Sequence, residues 1–148
     1  MNAQTVVVEN DATSLYIPEE PYVLVVDDDQ AILSVVMLLL ETEGYTSLGF
    51  SDSTKVIPFL EELHMTGQRL PSVLLLDLMM PIVSGYDIAA AITNNDWSKQ
   101  ITIIIMTADH RISGTHNIPG ASDWLSKPFR IEVLLDKLGM YLPAPCAQ

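Results

Sequence analysis

Positive charge is scarce in this chain: its 148 residues carry 7 lysines and arginines against 19 aspartates and glutamates, a formal net charge of -12. A surface so anionic repels phosphate backbones and acidic headgroups, which argues against nucleic acid and membrane as partners. Cysteine is almost absent. The lone Cys146 sits in a tail with proline and alanine, has no partner for an internal disulfide and suits a reducing cytoplasm. No apolar run approaches the ~20 residues of a membrane span. The start of the chain has no basic stretch and only the short run Val6-Val7-Val8, so no secretory leader is expected. A soluble cytoplasmic protein is what these absences leave.

What is present is apolar content, 49% of the residues, in a chain long enough to bury about two-thirds of its unfolded surface in one core. Apolar runs ending in acidic or turn residues alternate with stretches of helical period, the pattern of a parallel sheet covered by helices. Five strand–helix pairs are expected, with strands at 22–26, 45–50, 73–76, 101–106 and 122–126. The first helix carries Ile32, Val35, Val36 and Leu39 on one face and ends at Gly44; the second follows Asp52-Ser53, and Pro58 inside it predicts a kink or a late start. The third runs over 86–93 and the last over 131–141. The fourth strand is the most apolar and is expected at the sheet centre. Between it and the fifth, Ser113-Gly114 and Pro119-Gly120 interrupt what should be a fourth helix, which is therefore expected to be short or irregular. Residues 1–20 are mostly polar and end in Pro-Glu-Glu-Pro, so an N-terminal extension without order is expected, followed by one domain over 21–142 and a flexible tail over 143–148.

In an open parallel sheet the loops at the carboxyl edge face a common crevice. Here the strand ends supply Asp27, Asp28 and Asp29, then Asp77, then Thr107, then Lys127. Singly, each has a plain explanation: an aspartate after a strand is often a helix cap, which suffices for Asp29, and a lone lysine is usually solvated. Together they form an anionic cluster flanked by a hydroxyl and an ammonium. Close carboxylates raise one another's pKa and strain the fold unless a cation neutralises them, and oxygen-only ligands favour Mg²⁺ or Mn²⁺. A carboxylate held by such an ion is able to attack phosphorus if donors meet the charge on the equatorial oxygens. Thr107, the backbone N–H after it and Lys127 are the donors. His64, His110 and His116 lie in polar or loop contexts and read as surface histidines.

From Val23-Leu24-Val25-Val26-Asp27-Asp28-Asp29 through Leu76-Asp77-Leu78-Met79-Met80-Pro81 to Lys127-Pro128-Phe129, the chain resembles the response-regulator receiver domain, over about residues 22–141. Gly85 eight residues after Asp77, and the pair Thr107-Ala108, fall at the matching places. The resemblance implies a doubly wound, flavodoxin-like (βα)5 fold with a five-stranded parallel sheet. It implies Asp77 as phosphoacceptor, Asp28 as a direct ligand of Mg²⁺, Asp27 as a ligand through water and the Met79 carbonyl as the third protein ligand. Thr107, the Ala108 amide and Lys127 would hold the phosphoryl oxygens. Thr107 and Trp124 would move together as a switch, the Lys127-Pro128 bond would be cis, and Met79 and Asp109 would tune the loss of phosphate.

Two rival readings remain. An aspartate-based phosphatase needs a second aspartate two residues after the nucleophile, where this chain has Met79. A phosphorylation-independent pseudo-receiver, acting as an interaction module, usually loses an acidic residue, the threonine or the lysine, all of which are kept here. The expectation is thus a stand-alone phosphoacceptor that is not an enzyme beyond self-phosphorylation and autodephosphorylation. A histidine kinase or phosphotransfer protein would be its donor, a downstream effector its target, and a homodimer is admitted. The tail after the last helix is too short to fold as an output domain, so output is expected through a partner.

Overall fold

In the computed structural model, which describes residues 5–8, 17–108, 118 and 120–143, the apolar runs form one parallel sheet. Its strands are β1 (Thr5–Val8), β2 (Val23–Val26), β3 (Ser47–Phe50), β4 (Val73–Asp77), β5 (Thr102–Thr107) and β6 (Ala121–Ser126), in the order β1-β3-β2-β4-β5-β6. The helices are α1 (Gln30–Thr42), α2 (Val56–Thr66), α3 (Gly85–Asn94) and α4 (Ile131–Tyr141). The five expected strands are all present in doubly wound order.

The period of two along each strand divides the core. Leu24, Val26, Leu74, Leu76, Ile103 and Ile105 face α2 and α3, where they meet Phe59, Leu60, Leu63, Ile88 and Ile92. Val23, Val25, Val73, Leu75, Ile104 and Met106 face the other way, onto Leu33, Met37 and Leu40 of α1 and Leu134 and Leu138 of α4. Interior strands buried on both faces must be apolar throughout, which is why β2 and β4 read as unbroken runs.

Two expectations are corrected. Thr5–Val8 lies in the extension read as lacking order, yet it pairs in parallel with β3, Thr5 opposite Ser47 and Val8 opposite Phe50. Its valines are β-branched, and the outer edge of β3 offers unpaired backbone donors and acceptors. The sheet therefore has a sixth strand beyond the five. The second correction concerns β5, which is buried on both faces but lies between β4 and the edge strand β6, with β2 and β4 at the centre. Burial on both faces needs only a strand on each side and helices above and below, so apolarity does not single out the middle.

The helix ends follow local chemistry. Asp29 Oδ1 accepts from the Ala31 and Ile32 amides and caps α1. A 3₁₀ turn over Ser53–Lys55, capped by Asp52, delays α2, so that Pro58 falls in its first turn, where no amide donor is required. Ser84 and Asp87 form a reciprocal capping box at α3. Residues 109–117, the place of the irregular fourth helix, lie outside the described residues, as do Asp109, His110, His116 and Cys146. No helix of the described residues is long and apolar enough to cross a membrane.

Candidate functional site

Register brings the polar strand ends into one row. Val26 pairs with Leu76, Asp77 with Met106, and Thr107 with Ser126, so Asp27, Asp77, Thr107 and Lys127 emerge at the same carboxyl edge. Asp27, Asp77 and Thr107 are buried, whereas Asp28 and Ala108 are exposed. One carboxylate oxygen from each of Asp27, Asp28 and Asp77 lies within 4.8 Å of the others.

The charges are arranged unequally. Lys127 Nζ lies 2.5 Å from Asp27 Oδ2 and 3.7 Å from Asp77 Oδ1. The Asp29 amide donates to Asp27 Oδ1 at 2.9 Å, and the Met79 amide to Asp77 Oδ1 at 3.4 Å. The Lys127 amide donates to the Thr107 carbonyl at 2.7 Å, tying the ends of β5 and β6, and the Lys127-Pro128 bond is cis. Burial pushes Asp77 up to about 6; the Lys127 ammonium and the Met79 amide oppose the rise, while Asp27 and Asp28 add to it. Three carboxylates around one ammonium leave net negative charge in a partly dehydrated crevice. Oxygen donors alone, one of them open to solvent, fit a hard divalent cation of the Mg²⁺ type.

A close backbone contact sets the loop after Asp77. A Cβ placed on Gly85 would lie 2.4 Å from the Asp77 carbonyl oxygen and 2.7 Å from Leu78 Cα. Only hydrogen fits there, and the Gly85 amide donates to the Leu78 carbonyl at 3.0 Å. On its far side the loop is held by Ser53 Oγ, which donates to the Pro81 carbonyl at 3.2 Å. Ser53 stands beside Asp52 in the stretch that precedes α2 but does not cap it. Only Asp52 caps, and nothing in the local pattern points 28 residues ahead. Trp124 is half-buried against the core on the α2 and α3 face, and the Met79 side chain is exposed.

A parallel sheet that gathers three aspartates, a threonine and a lysine at one edge defines a class of acidic-edged α/β domains, and the family is then fixed by comparison. Residues 23–139 match the response regulator receiver domain, and the chain belongs to that family. It is 30% identical over 122 residues to the DNA-binding dual master transcriptional regulator RpaA of Synechocystis, covering 80% of this chain and 47% of that protein. It is 27% identical over 124 residues to Protein PilG of Pseudomonas aeruginosa, covering 82% of this chain and 87% of that protein. Among solved structures, the chemotaxis protein CheY4 of Vibrio cholerae matches with a TM-score of 0.68 at 26% identity, over 83% of this chain and 99% of that one. A CheY-like receiver domain protein from Methanospirillum hungatei matches with a TM-score of 0.66 at 28% identity, over 82% and 94% of the two chains. The chain spans half the length or less of the first curated relatives it matches.

Proposed function

We propose that this receiver domain accepts a phosphoryl group on Asp77 from a histidine kinase or a phosphotransfer protein, in a reaction dependent on Mg²⁺ or Mn²⁺, and that the modified state changes a surface read by a downstream partner in the cytoplasm. The observation that supports this most directly is Asp77 itself. It stands at the end of a buried strand with two carboxylates and an ammonium converging on it.

Asp27, Asp28, Asp77 and the Met79 carbonyl would hold the cation. When bound, it would neutralise charge on the transferring phosphoryl group. The chain's own residues do the rest. An ionised Asp77 oxygen forms the O–P bond as the P–N bond to the donor imidazole breaks, and the departing imidazole takes up a proton. With a pKa of about 6, Asp77 is mostly ionised at neutral pH and is available as the nucleophile. Thr107 Oγ1, the Ala108 amide and Lys127 Nζ are the donors to the equatorial oxygens. Lys127 already lies 3.7 Å from Asp77 Oδ1, so a small change in its flexible side chain brings it onto an added phosphoryl group.

That movement takes Lys127 from Asp27 and draws Thr107 toward the phosphoryl group, and Trp124 on β6 follows as the switch. The effect is a biased equilibrium between two arrangements of the same surface. Met79, exposed beside the acceptor, and Asp109 set how readily water reaches the acyl phosphate. The deciding experiment is intact mass after incubation with acetyl phosphate and Mg²⁺. A single phosphoryl adduct that requires Mg²⁺ and is lost in Asp77→Asn is the expected result. The absence of any adduct would instead assign the chain to phosphorylation-independent interaction.

A further inference from the structure

β1 pairs with β3 where the sheet of the family-matched residues would otherwise end, since that match begins at Val23. β3 is met in the same way from both sides. Val6, Val7 and Val8 stand opposite Leu48, Gly49 and Phe50 on one edge, and Leu24, Val25 and Val26 stand opposite the same three on the other, both sets running parallel to β3. Both strands are uncharged, and acidic residues follow each of them, Glu9 and Asp11 after β1 and Asp27 to Asp29 after β2. Thr5–Val8 therefore copies, in register and in character, the strand on which the core depends. The outer edge of β3 takes it by backbone pairing, which asks for an extended, uncharged, β-branched segment.

The hold on this strand is slight and its tether is long. Four residues supply few ladder bonds, each worth little net of the water it displaces. The chain is next anchored near Ile17, where Pro18 is buried and the Glu19 carbonyl accepts from Arg69. Residues 9–16 lie between and span at most about 30 Å, enough to reach β3 of a neighbouring copy as well as their own. The opposite edge of the sheet is guarded against strand addition. β6 carries Asp123, bonded to Lys137 Nζ at 2.7 Å and Tyr141 Oη at 3.3 Å, and its ladder with β5 shifts register between Ile103 and Ile104. Charge and irregularity of this kind protect an edge, and Thr-Val-Val-Val has no charge. Copies of a chain of net charge -12 repel one another, so an uncharged backbone element is the place for them to meet.

We propose that the outer edge of β3 is a strand-exchange site between two copies of this chain, Thr5–Val8 of each leaving its own β3 and pairing, in the same parallel register, with β3 of the other. A second copy carries the one segment already seen to fit this edge. The contacts broken and made are identical, so exchange costs only the joining of two molecules. A tether of this length holds the segment at an effective concentration in the millimolar range, so single closed copies prevail in dilute solution and the exchanged pair gains as copies are gathered. The exchange uses none of the acidic residues at the carboxyl edge, and it stands whether or not Asp77 is a phosphoacceptor.

Disulfide trapping separates exchange from pairing within one copy. In a Cys146→Ser background, one full-length chain carries Thr5→Cys and a second carries Ser47→Cys, the residues that pair at the start of the two strands. Neighbours in adjacent strands lie about 4.8 Å apart, within disulfide reach. Ser47 is fully buried and its hydroxyl has no hydrogen-bond partner among the described residues, so a thiol is tolerated there and chance collision does not reach it. The two chains are mixed in a glutathione redox buffer and the products resolved by intact mass. A crosslink between unlike chains is expected, its share rising about tenfold between roughly 10 and 100 µM. Adding Val6→Pro and Val7→Pro to the Thr5→Cys chain should abolish it, because one of those two amides must face β3. A single chain carrying both cysteine substitutions should close on itself in dilute solution. Internal closure without any crosslink in the mixture overturns the proposal, as does a crosslink that the two prolines leave unchanged. Failure of internal closure overturns it too, since the segment then has no seat on β3.

Discussion

Lys127 sits closer to Asp27 than to Asp77: its ammonium is 2.5 Å from Asp27 Oδ2 and 3.7 Å from Asp77 Oδ1. The Asp27 side chain is buried, so this ammonium is its countercharge when no cation is bound. Lys127→Met should therefore destabilise the metal-free protein by about 3 kcal/mol, the usual cost of stranding a buried charge. Mg²⁺ should restore more stability to the variant than it adds to wild type. Urea unfolding in EDTA and in Mg²⁺ measures both effects; equal midpoints in EDTA would mean that Lys127 contributes nothing to the metal-free fold.

Asp77 should make stability depend on pH in an unusual direction for a carboxylate. Its pKa is raised from 3.8 to about 6 in the folded chain, chiefly by burial, so between these values the folded state holds a proton that the unfolded state releases. Its contribution is most favourable below pH 4 and declines as pH rises through 6. In EDTA at pH 7.5, Asp77→Asn should exceed wild type by about 1–2 kcal/mol after allowance for solvent screening. The gap should close toward pH 4. A difference that stays constant over this range would contradict the raised pKa.

Gly85→Ala should disturb Asp77 without touching its side chain. The added Cβ meets the Asp77 and Leu78 backbone, which cannot swing aside as a side-chain end would. A loss of about 2–3 kcal/mol is expected, with weaker Mg²⁺ binding as the end of β4 shifts. Thermal melts and calorimetric Mg²⁺ titration would check the two effects; wild-type values for both would remove the close approach from the account of the site.

Removing β1 should leave the site intact. Among the described residues Thr5–Val8 pairs with β3 alone, at the far edge from β5 and β6. A chain lacking residues 1–16 should lose about 1–2 kcal/mol, exchange the amides of Ser47–Phe50 faster, and label with acetyl phosphate at the wild-type rate. A loss of labelling in a folded truncation would show that the sheet edge communicates with the acceptor.

The fold was legible wherever apolar period and helix punctuation agree. β2, β4 and β5 are unbroken apolar runs ending in Asp or Thr, and Gly44 and Asp29 mark helix ends by local chemistry that needs no tertiary information. The row of strand-end residues was legible for the same reason, since parallel strands of matched register present their ends together. β1 was not, because four residues in a polar stretch become a strand only when an open edge receives them. Nor was the closer approach of Lys127 to Asp27 than to Asp77, which depends on side-chain reach across the crevice. The positive φ of Ile82 was equally hidden: Pro81 restricts its own φ, but nothing in Pro-Ile-Val announces one at the isoleucine.

The contact between Asp27 and Lys127 joins residues 100 positions apart in the chain. No fragment of the sheet contains the site: β2 must bring the first carboxylates, β4 the third and β6 the ammonium, each in register with the next. Closures over so long a stretch of chain cost loop entropy before their contacts repay it. The assembled crevice thus doubles as a certificate of completeness. A chain whose β2, β4 and β6 are not yet in register cannot gather the three carboxylates and the ammonium, so labelling at Asp77, on the function proposed above, would report on an assembled sheet.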